Sequence, residues 1–396
     1  MNGRAPVERH PGFTLVRIAG RPYERGLQHG RLLREEVRRL RAAFYRDVVY
    51  FRGRAWGLAL QAVMAPILLL MHRHIPAELR LEMRGVAAGA GVRYRDVLIF
   101  NCFDDLLHAL WLIPMAARRL PFVGRSFACS SFALLGQRTS TGRLLHGRNL
   151  DYEVVDCLAN DGAVTRVLKE NIVVVECRPD DGHAFLSVGW PGVVGVVTSL
   201  SEAGLSLACL TSTVSGETPN GIPLPLLYRR ITQHAETLSG AELMLRGARR
   251  TIGNNLLLAS GAEDDARVFE LSPSSIATRR AEAGKLITTN HFVHDAMVPS
   301  QNGWSFPSSV ERLNRLTDLC GAGACTPEQA TAFLRDTLSR GPDGNLWGCL
   351  ENPGTIYSTV AEPASGRLWI RPNDRPDRQF VELTASWARQ PAALPA

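Results

Sequence analysis

Two short stretches constrain this chain more than any others: Phe127-Ala128-Cys129-Ser130-Ser131-Phe132 and, some twenty residues on, Gly147-Arg148-Asn149-Leu150-Asp151. In the first, a small residue precedes a cysteine that opens a β-like run. In the second, an arginine and an aspartate fall at i and i+3 on what reads as the next strand. A cysteine attacks as thiolate, yet a free thiol titrates near ~8.5, so something must take its proton. A chain α-amine titrates near ~7.7–8.0 and is partly free base at neutral pH. If the Ala128–Cys129 bond breaks, Cys129 carries its own base beside its sulfur, as in threonine nucleophiles that use their own amine.

The break can be self-made. The thiol attacks the carbonyl of Ala128, the acyl group shifts from nitrogen to sulfur, and water then frees the amine. A small residue at 128 leaves room for that attack. Asp151 beside the new amine would orient it, and Arg148 beside the thiolate would lower its pKa by opposite charge. A structural ion pair gives the same Arg-x-x-Asp spacing. Its place on the strand after a cysteine-led strand favours the site.

Hydrophobic periodicity places these residues in an α+β chain. A short strand is expected over 12–20, a long amphipathic helix over 23–50, then helices over 55–72, 77–88 and 96–115. From about 126 the pattern turns β-like: 126–135, 144–152, 172–178, 184–189, 193–200 and 205–210, separated by turn residues. Helices over 224–235 and 240–248, strands over 255–259, 267–271 and 285–289, helices over 309–319 and 327–340, and strands over 355–361 and 368–371 complete the chain. Two sheets sandwiched between helix layers is one arrangement that satisfies this order. Periodicity alone does not select it.

Downstream, Asn290 in Thr288-Thr289-Asn290-His291-Phe292 could aim its amide at a developing oxyanion, or bond its own turn. Arg312 begins a helix, where it could hold the site or form a surface ion pair. Asn254 and Asn255 read as turn residues. His146 or His291 could instead pair with Cys129 as in papain-like enzymes, with Asn290 or Asn149 as orienter. Those enzymes place the cysteine at a helix N-terminus, whereas Cys129 starts a strand-like run.

Composition narrows the rest. Net charge is +7 and the excess is arginine, much of it in Arg31 to Arg46 among Glu35, Glu36 and Asp47, which reads as a solvated helix face. No nucleic-acid module accompanies it; a surface favouring anionic substrates such as coenzyme A thioesters is compatible with it. The eight cysteines form no CxxC, and no His pair has zinc-finger spacing, so neither metal nor organic cofactor is expected. The opening residues lack an apolar signal segment, which favours a cytoplasmic protein with reduced thiols. The apolar run Gly57 to Met71 is short of a membrane span and is expected to be a buried helix; flanking Arg52, Arg54 and Arg73 leave a membrane-surface helix as the alternative.

Six pieces, in order, resemble the acyl-coenzyme A:6-aminopenicillanic acid acyltransferase family, the C45 autoproteolytic peptidases. The resemblance to the choloylglycine hydrolases is more distant. The pieces are Gly20 to Gly30, Cys129 to Phe132, Gly147 to Asp151, Thr289 to Phe292, Ser308 to Arg312 and Thr355 to Ser358. The resemblance implies an N-terminal nucleophile αββα four-layer sandwich with a mostly helical N-terminal segment. It implies self-cleavage into a helical chain, 1–128, and a catalytic chain, 129–396, which together form one αββα unit. Cys129 would be the nucleophile, Arg148 and Asp151 would flank its thiol and amine, Asn290 would match the oxyanion asparagine, and Arg312 the structural arginine. Ala128 stands where the penicillin acyltransferase has glycine. Thr211 stands where bile-salt hydrolases carry a polar amide residue. The expected activity is hydrolysis or transfer of an acyl group from a small-molecule amide or thioester through an S-acyl enzyme. The alternatives are a papain-like Cys–His hydrolase without self-cleavage and an unprocessed, non-catalytic binding relative.

Overall fold

Along β9 (Asn254–Ser260), successive apolar side chains belong to different cores. Leu256 and Leu258 pack with Leu227, Leu238 and Leu245 of helices α8 (Leu224–His234) and α9 (Leu238–Gly247), whereas Leu257 and Ala259 pack with Ala133 and Leu286 of a second sheet. On that sheet, Ala133 of β3 (Ser130–Leu134) faces inward. Phe132 and Leu134 face outward onto Leu316 of α10 (Pro307–Leu319) and Leu334 after α11 (Pro327–Phe333). Strand side chains alternate with period two, so these memberships define four layers, helix–sheet–sheet–helix. The structure, a computed structural model, describes residues 5–111, 129–152, 163–302, 307–321, 323–340 and 344–388.

Among the described residues, the large sheet has the order β1 (Val7–His10), β2 (Phe13–Gly20), β5 (Ile172–Pro179), β6 (Phe185–Gly189), β7 (Thr198–Ser201), β8 (Leu205–Thr211), β9, β10 (Asp265–Leu271), β11 (Ile276–Arg280). The small sheet runs β12 (Lys285–Thr288), β3, β4 (Leu145–Asp151), β13 (Thr355–Glu362), β14 (Arg367–Pro372), β15 (Val381–Thr384). Between the strands lie α1 (Pro22–Leu32), α2 (Arg34–Phe44), α3 (Arg54–His72), α4 (Ala77–Ala90), α5 (Tyr94–Asn101), α6 (Phe103–Trp111) and α7 (Ala163–Glu170). The α+β expectation is met. The N-terminal segment is tied in by β2, which runs parallel to β5 from Phe13 opposite Ile172 to Gly20 opposite Pro179.

Several local expectations change. The helix read over 23–50 breaks at Leu33 (φ −117°, ψ 28°), which is buried against Val16 and Val175, and ends in a π turn, Tyr45–Val49. The strand read over 193–200 shrinks to its end, because Asn101 Oδ1 takes the N–H groups of Val194 (2.8 Å) and Gly195 (2.9 Å). The helix read over 327–340 stops at Phe333. Strands β1, β11 and β15 and helix α7 are short elements of four to eight residues that the sequence reading did not mark. The apolar run in α3 is not the buried helix expected: Leu58, Val63 and Leu69 are 56%, 39% and 65% exposed.

Helices α1 and α4 approach so closely that only glycine fits. A Cβ at Gly26 would lie 1.9 Å from the carbonyl oxygen of Glu82, and one at Gly85 would lie 2.2 Å from that of Tyr23. This explains part of the Gly20–Gly30 motif as packing. The seam also buries Glu82 between Arg25 (2.9 Å) and Arg229 (3.1 Å). Gly85→Ala gains about 1 kcal/mol of helix propensity but loses about 3 kcal/mol, the upper end of the usual overpacking cost, because the clashing atom is backbone and cannot turn aside. A fall in melting temperature of about 4 °C or more is expected by calorimetry; an unchanged or higher value would mean that the seam is looser than described.

Candidate active site

Antiparallel pairing of β3 with β4 sets Ser130 opposite Asn149 and Ser131 opposite Arg148, with Cys129 just ahead of the ladder. Arg148 and Asp151 are an odd number of residues apart, so they leave β4 on opposite faces. They bracket the cysteine rather than pair with each other. Arg148 enters the space between the sheets. Its Nη1 donates to the Val197 carbonyl (2.7 Å) and Thr198 Oγ1 (2.6 Å), and its Nη2 to the Cys209 carbonyl (3.2 Å) and Cys129 Sγ (3.6 Å). Among the described residues no carboxylate hydrogen-bonds this guanidinium, which faces the sulfur.

Asp151 is fully buried and faces the other way. Its Oδ2 accepts from Asn352 Nδ2 at 2.7 Å, and among the described residues Oδ1 has no hydrogen-bond partner. Burial lifts its carboxyl to about 6, against the pull of Arg312. Burial also pushes the Cys129 thiol above its ordinary value, and Arg148 opposes that rise. The intact chain therefore holds a neutral thiol with a carboxyl poised to ionise just below neutrality.

Arg312, on α10, is buried and not part of a surface ion pair. Its Nη1 donates to the carbonyl of Cys129 and to Ser130 Oγ (2.8 Å), and its Nη2 to Asn290 Oδ1 (3.1 Å). That last bond fixes which end of the Asn290 amide is oxygen. The amide nitrogen is left to donate to the Thr211 carbonyl at 2.8 Å. The Asn290 N–H donates to Ser309 Oγ at 2.8 Å. Asn255 Nδ2 donates to the Thr289 and His291 carbonyls, each at 2.8 Å. Asn254 and Asn255 are thus buried residues of β9 rather than turn residues, and Asn255 clamps the segment that carries Asn290.

The histidines are committed elsewhere. His146 sits between Ser131 Oγ (3.1 Å) and Ser206 Oγ (2.7 Å), and burial, with Arg148 nearby, lowers it to about 3. His291 Nδ1 lies 2.7 Å from Ser309 Oγ, and burial lowers it to about 4. Asn149 Nδ2 donates to the Leu334 and Leu350 carbonyls, away from the sulfur. Both ring nitrogens of His146 and Nδ1 of His291 are therefore bonded to groups other than Cys129.

Cys129, Asp151 and Thr211 line one cavity, walled largely by apolar groups such as Leu40, Phe44, Phe103 and Trp190. The geometry thus gathers Cys129, Arg148, Asp151, Asn290, Arg312 and Thr211 in one place. Ala128, the expected cleavage partner, lies outside the described residues, as does Cys157. Sequence reasoning missed Asn352 and Thr198, which act on residues far away in the chain and carry no motif of their own, and it did not assign the contacts of Asn255 and Ser309.

A cysteine-led strand inside an αββα sandwich, flanked by an arginine and an aspartate of the adjacent strand, is the layout of the N-terminal nucleophile class. Residues 140–376 match the family described as acyl-coenzyme A:6-aminopenicillanic acid acyl-transferase, and the chain belongs to that family. The matched stretch contains Arg148, Asp151, Thr211, Asn290 and Arg312 and begins after Cys129. An uncharacterized protein of Archaeoglobus fulgidus is 31% identical over 290 residues, 68% of this chain and 45% of its own length. Protein dcd1A of Dictyostelium discoideum is 24% identical over 283 residues, 66% of this chain and 58% of its own. The chain thus spans about half the length of these relatives. Among solved structures, a Caenorhabditis elegans N-acylethanolamine-hydrolyzing acid amidase ortholog superposes with a TM-score of 0.43 at 17% identity, covering 63% of this chain and 94% of its own.

Proposed function

We propose that this chain is a self-processing cysteine acyl hydrolase or acyltransferase with Cys129 as nucleophile. The observation that carries the proposal is the Arg148 guanidinium on Cys129 Sγ, at 3.6 Å and with no carboxylate hydrogen-bonded to it among the described residues. In the intact chain the thiol loses its proton to the ionised Asp151 carboxylate and attacks the Ala128 carbonyl carbon. The C–N bond breaks, nitrogen takes that proton back from Asp151 to become the α-amine, and the acyl group rests on sulfur. Water then releases the Ala128 carboxylate. Asp151 Oδ1 is the acceptor for the new amine, which thereafter serves as base for the thiol. Turnover repeats the chemistry on a small acyl amide or thioester, for which a coenzyme A thioester is one form. The Asn290 amide and a backbone N–H stabilise the tetrahedral oxyanion. Water as acceptor gives hydrolysis and an amine gives transfer. The apolar cavity suits an apolar acyl group.

Intact-mass analysis of precursor made by cell-free synthesis tests this. Two fragments dividing at Ala128–Cys129 are expected. Their formation should slow as pH falls through about 6, because Asp151 is then protonated and no longer accepts the thiol proton. A single species of 43.4 kDa whose thiol resists acylating reagents would overturn the proposal and leave a non-catalytic binding relative.

A further inference from the structure

The outward face of α3 is apolar along its whole accessible length. Every exposed residue from Ala55 to Leu69 is Ala, Leu, Val or Pro, with Leu58, Val63 and Leu69 the most prominent. The one polar side chain in that stretch, Gln61, is turned away to donate to Tyr50 Oη (3.0 Å) and the Gly57 carbonyl (3.1 Å). At 1.5 Å per residue the stripe is roughly 20 Å long. Soluble helices present polar residues on such a face, and an apolar patch of this size marks a surface that something covers.

The opposite side of α3 is part of the protein core. Met64, Ile67, Leu68 and Met71 are buried in the cluster that contains Phe44 and Leu106. The helix is therefore held against the fold and does not stand free to cross a bilayer, although its 19 residues and mean hydropathy of 1.6 would allow a span by length alone.

The ends of the stripe are cationic. Arg52 and Arg54 precede it and Arg73 follows it. All three are exposed, and among the described residues none is in a salt bridge. The Arg52 guanidinium rests over the rings of Phe51 (5.2 Å) and Trp56 (5.5 Å), an aromatic–basic rim at the helix start. This charge pattern selects the occupant. A second copy packed stripe to stripe would set arginine against arginine in either direction. A lipid surface would receive the apolar face at the boundary of headgroup and acyl chain, and its phosphates would meet the arginines.

We infer that α3 seats this protein on an anionic lipid surface. The same packing brings the docked helix close to the Cys129 cavity, since α3 lies on α6 and the π turn, next to Phe44 and Phe103 of the cavity wall. The docking itself does not depend on the catalytic proposal.

Cosedimentation with phosphatidylcholine vesicles, with and without roughly one-third phosphatidylglycerol, tests it. Binding should be on the order of tenfold stronger with the anionic lipid and should weaken as salt shortens the electrostatic range. Leu58→Glu/Leu69→Glu changes only exposed positions; it should abolish binding to both vesicles with an unchanged circular dichroism spectrum. Arg52→Ala/Arg54→Ala/Arg73→Ala should lose only the anionic preference. Folded wild-type protein that binds neither vesicle would overturn the inference, as would binding that survives Leu58→Glu/Leu69→Glu. So would a dimer by light scattering that this double variant splits, because it would assign the face to a second copy.

Discussion

Cys129→Ala is expected to give one uncut chain with no acyl transfer or hydrolysis. The substitution removes a single sulfur at the end of β3 and keeps the strand and its ladder with β4, so folding is spared. The hydrogen bonds from Arg312 reach the carbonyl of residue 129 and Ser130 Oγ, and both survive the change. What disappears is the atom that attacks. Cys209, whose carbonyl shares the Arg148 guanidinium, does not replace it, because burial pushes its thiol up to about 12. Loss of a covalent nucleophile removes at least ~10⁴-fold in rate. Intact mass reads the processing, and turnover of acyl amides and thioesters reads the activity. Two fragments from Cys129→Ala would sink the self-cleavage proposal and point to an external protease.

The second large effect is expected at Arg148. Arg148→Met keeps most of the side-chain volume and removes the charge. Without the guanidinium, which holds the thiol down against burial, the thiol should rise further, and the thiolate fraction at neutral pH should fall. The variant also takes the Arg148 donor from the Cys209 carbonyl, at a cost of about 1–3 kcal/mol, whereas the Val197 carbonyl keeps the Cys209 N–H at 3.1 Å. A stability loss alone would not identify a role in catalysis. The discriminating measurement is the pH profile of Cys129 alkylation, whose inflection should move upward in Arg148→Met. It should move only slightly in Thr198→Val, which removes one of Arg148's contacts and keeps the charge. Coincident profiles for wild type and Arg148→Met would mean that Arg148 only ties the two sheets together.

Cys129, Arg148 and Asp151 were legible in the sequence because they lie in one hairpin. Adjacent antiparallel strands bring such residues together whatever the rest of the chain does. Their opposite facing also follows from the odd spacing. Asn290 and Arg312 stood out through their motifs, but their relation did not. The orientation of the Asn290 amide depends on an arginine twenty-two residues away and on the Thr211 carbonyl seventy-nine residues away. Asn352 reaches Asp151 across 201 residues, and nothing in its own surroundings marks it.

Helix α3 shows the same division. Its composition and length were plain, and its flanking arginines were visible. Burial was the wrong expectation because a run that is apolar on every side does not reveal which face the fold will cover. By itself, the sequence determined the element types, the cysteine-led hairpin and the family, since these rest on local periodicity and on motifs of neighbouring residues. Only the tertiary structure decided which partners orient Asn290 and Asp151, which histidines are spent on serines, and which side of α3 meets solvent. Those are long-range contacts, set by how the layers pack, and local sequence does not encode them.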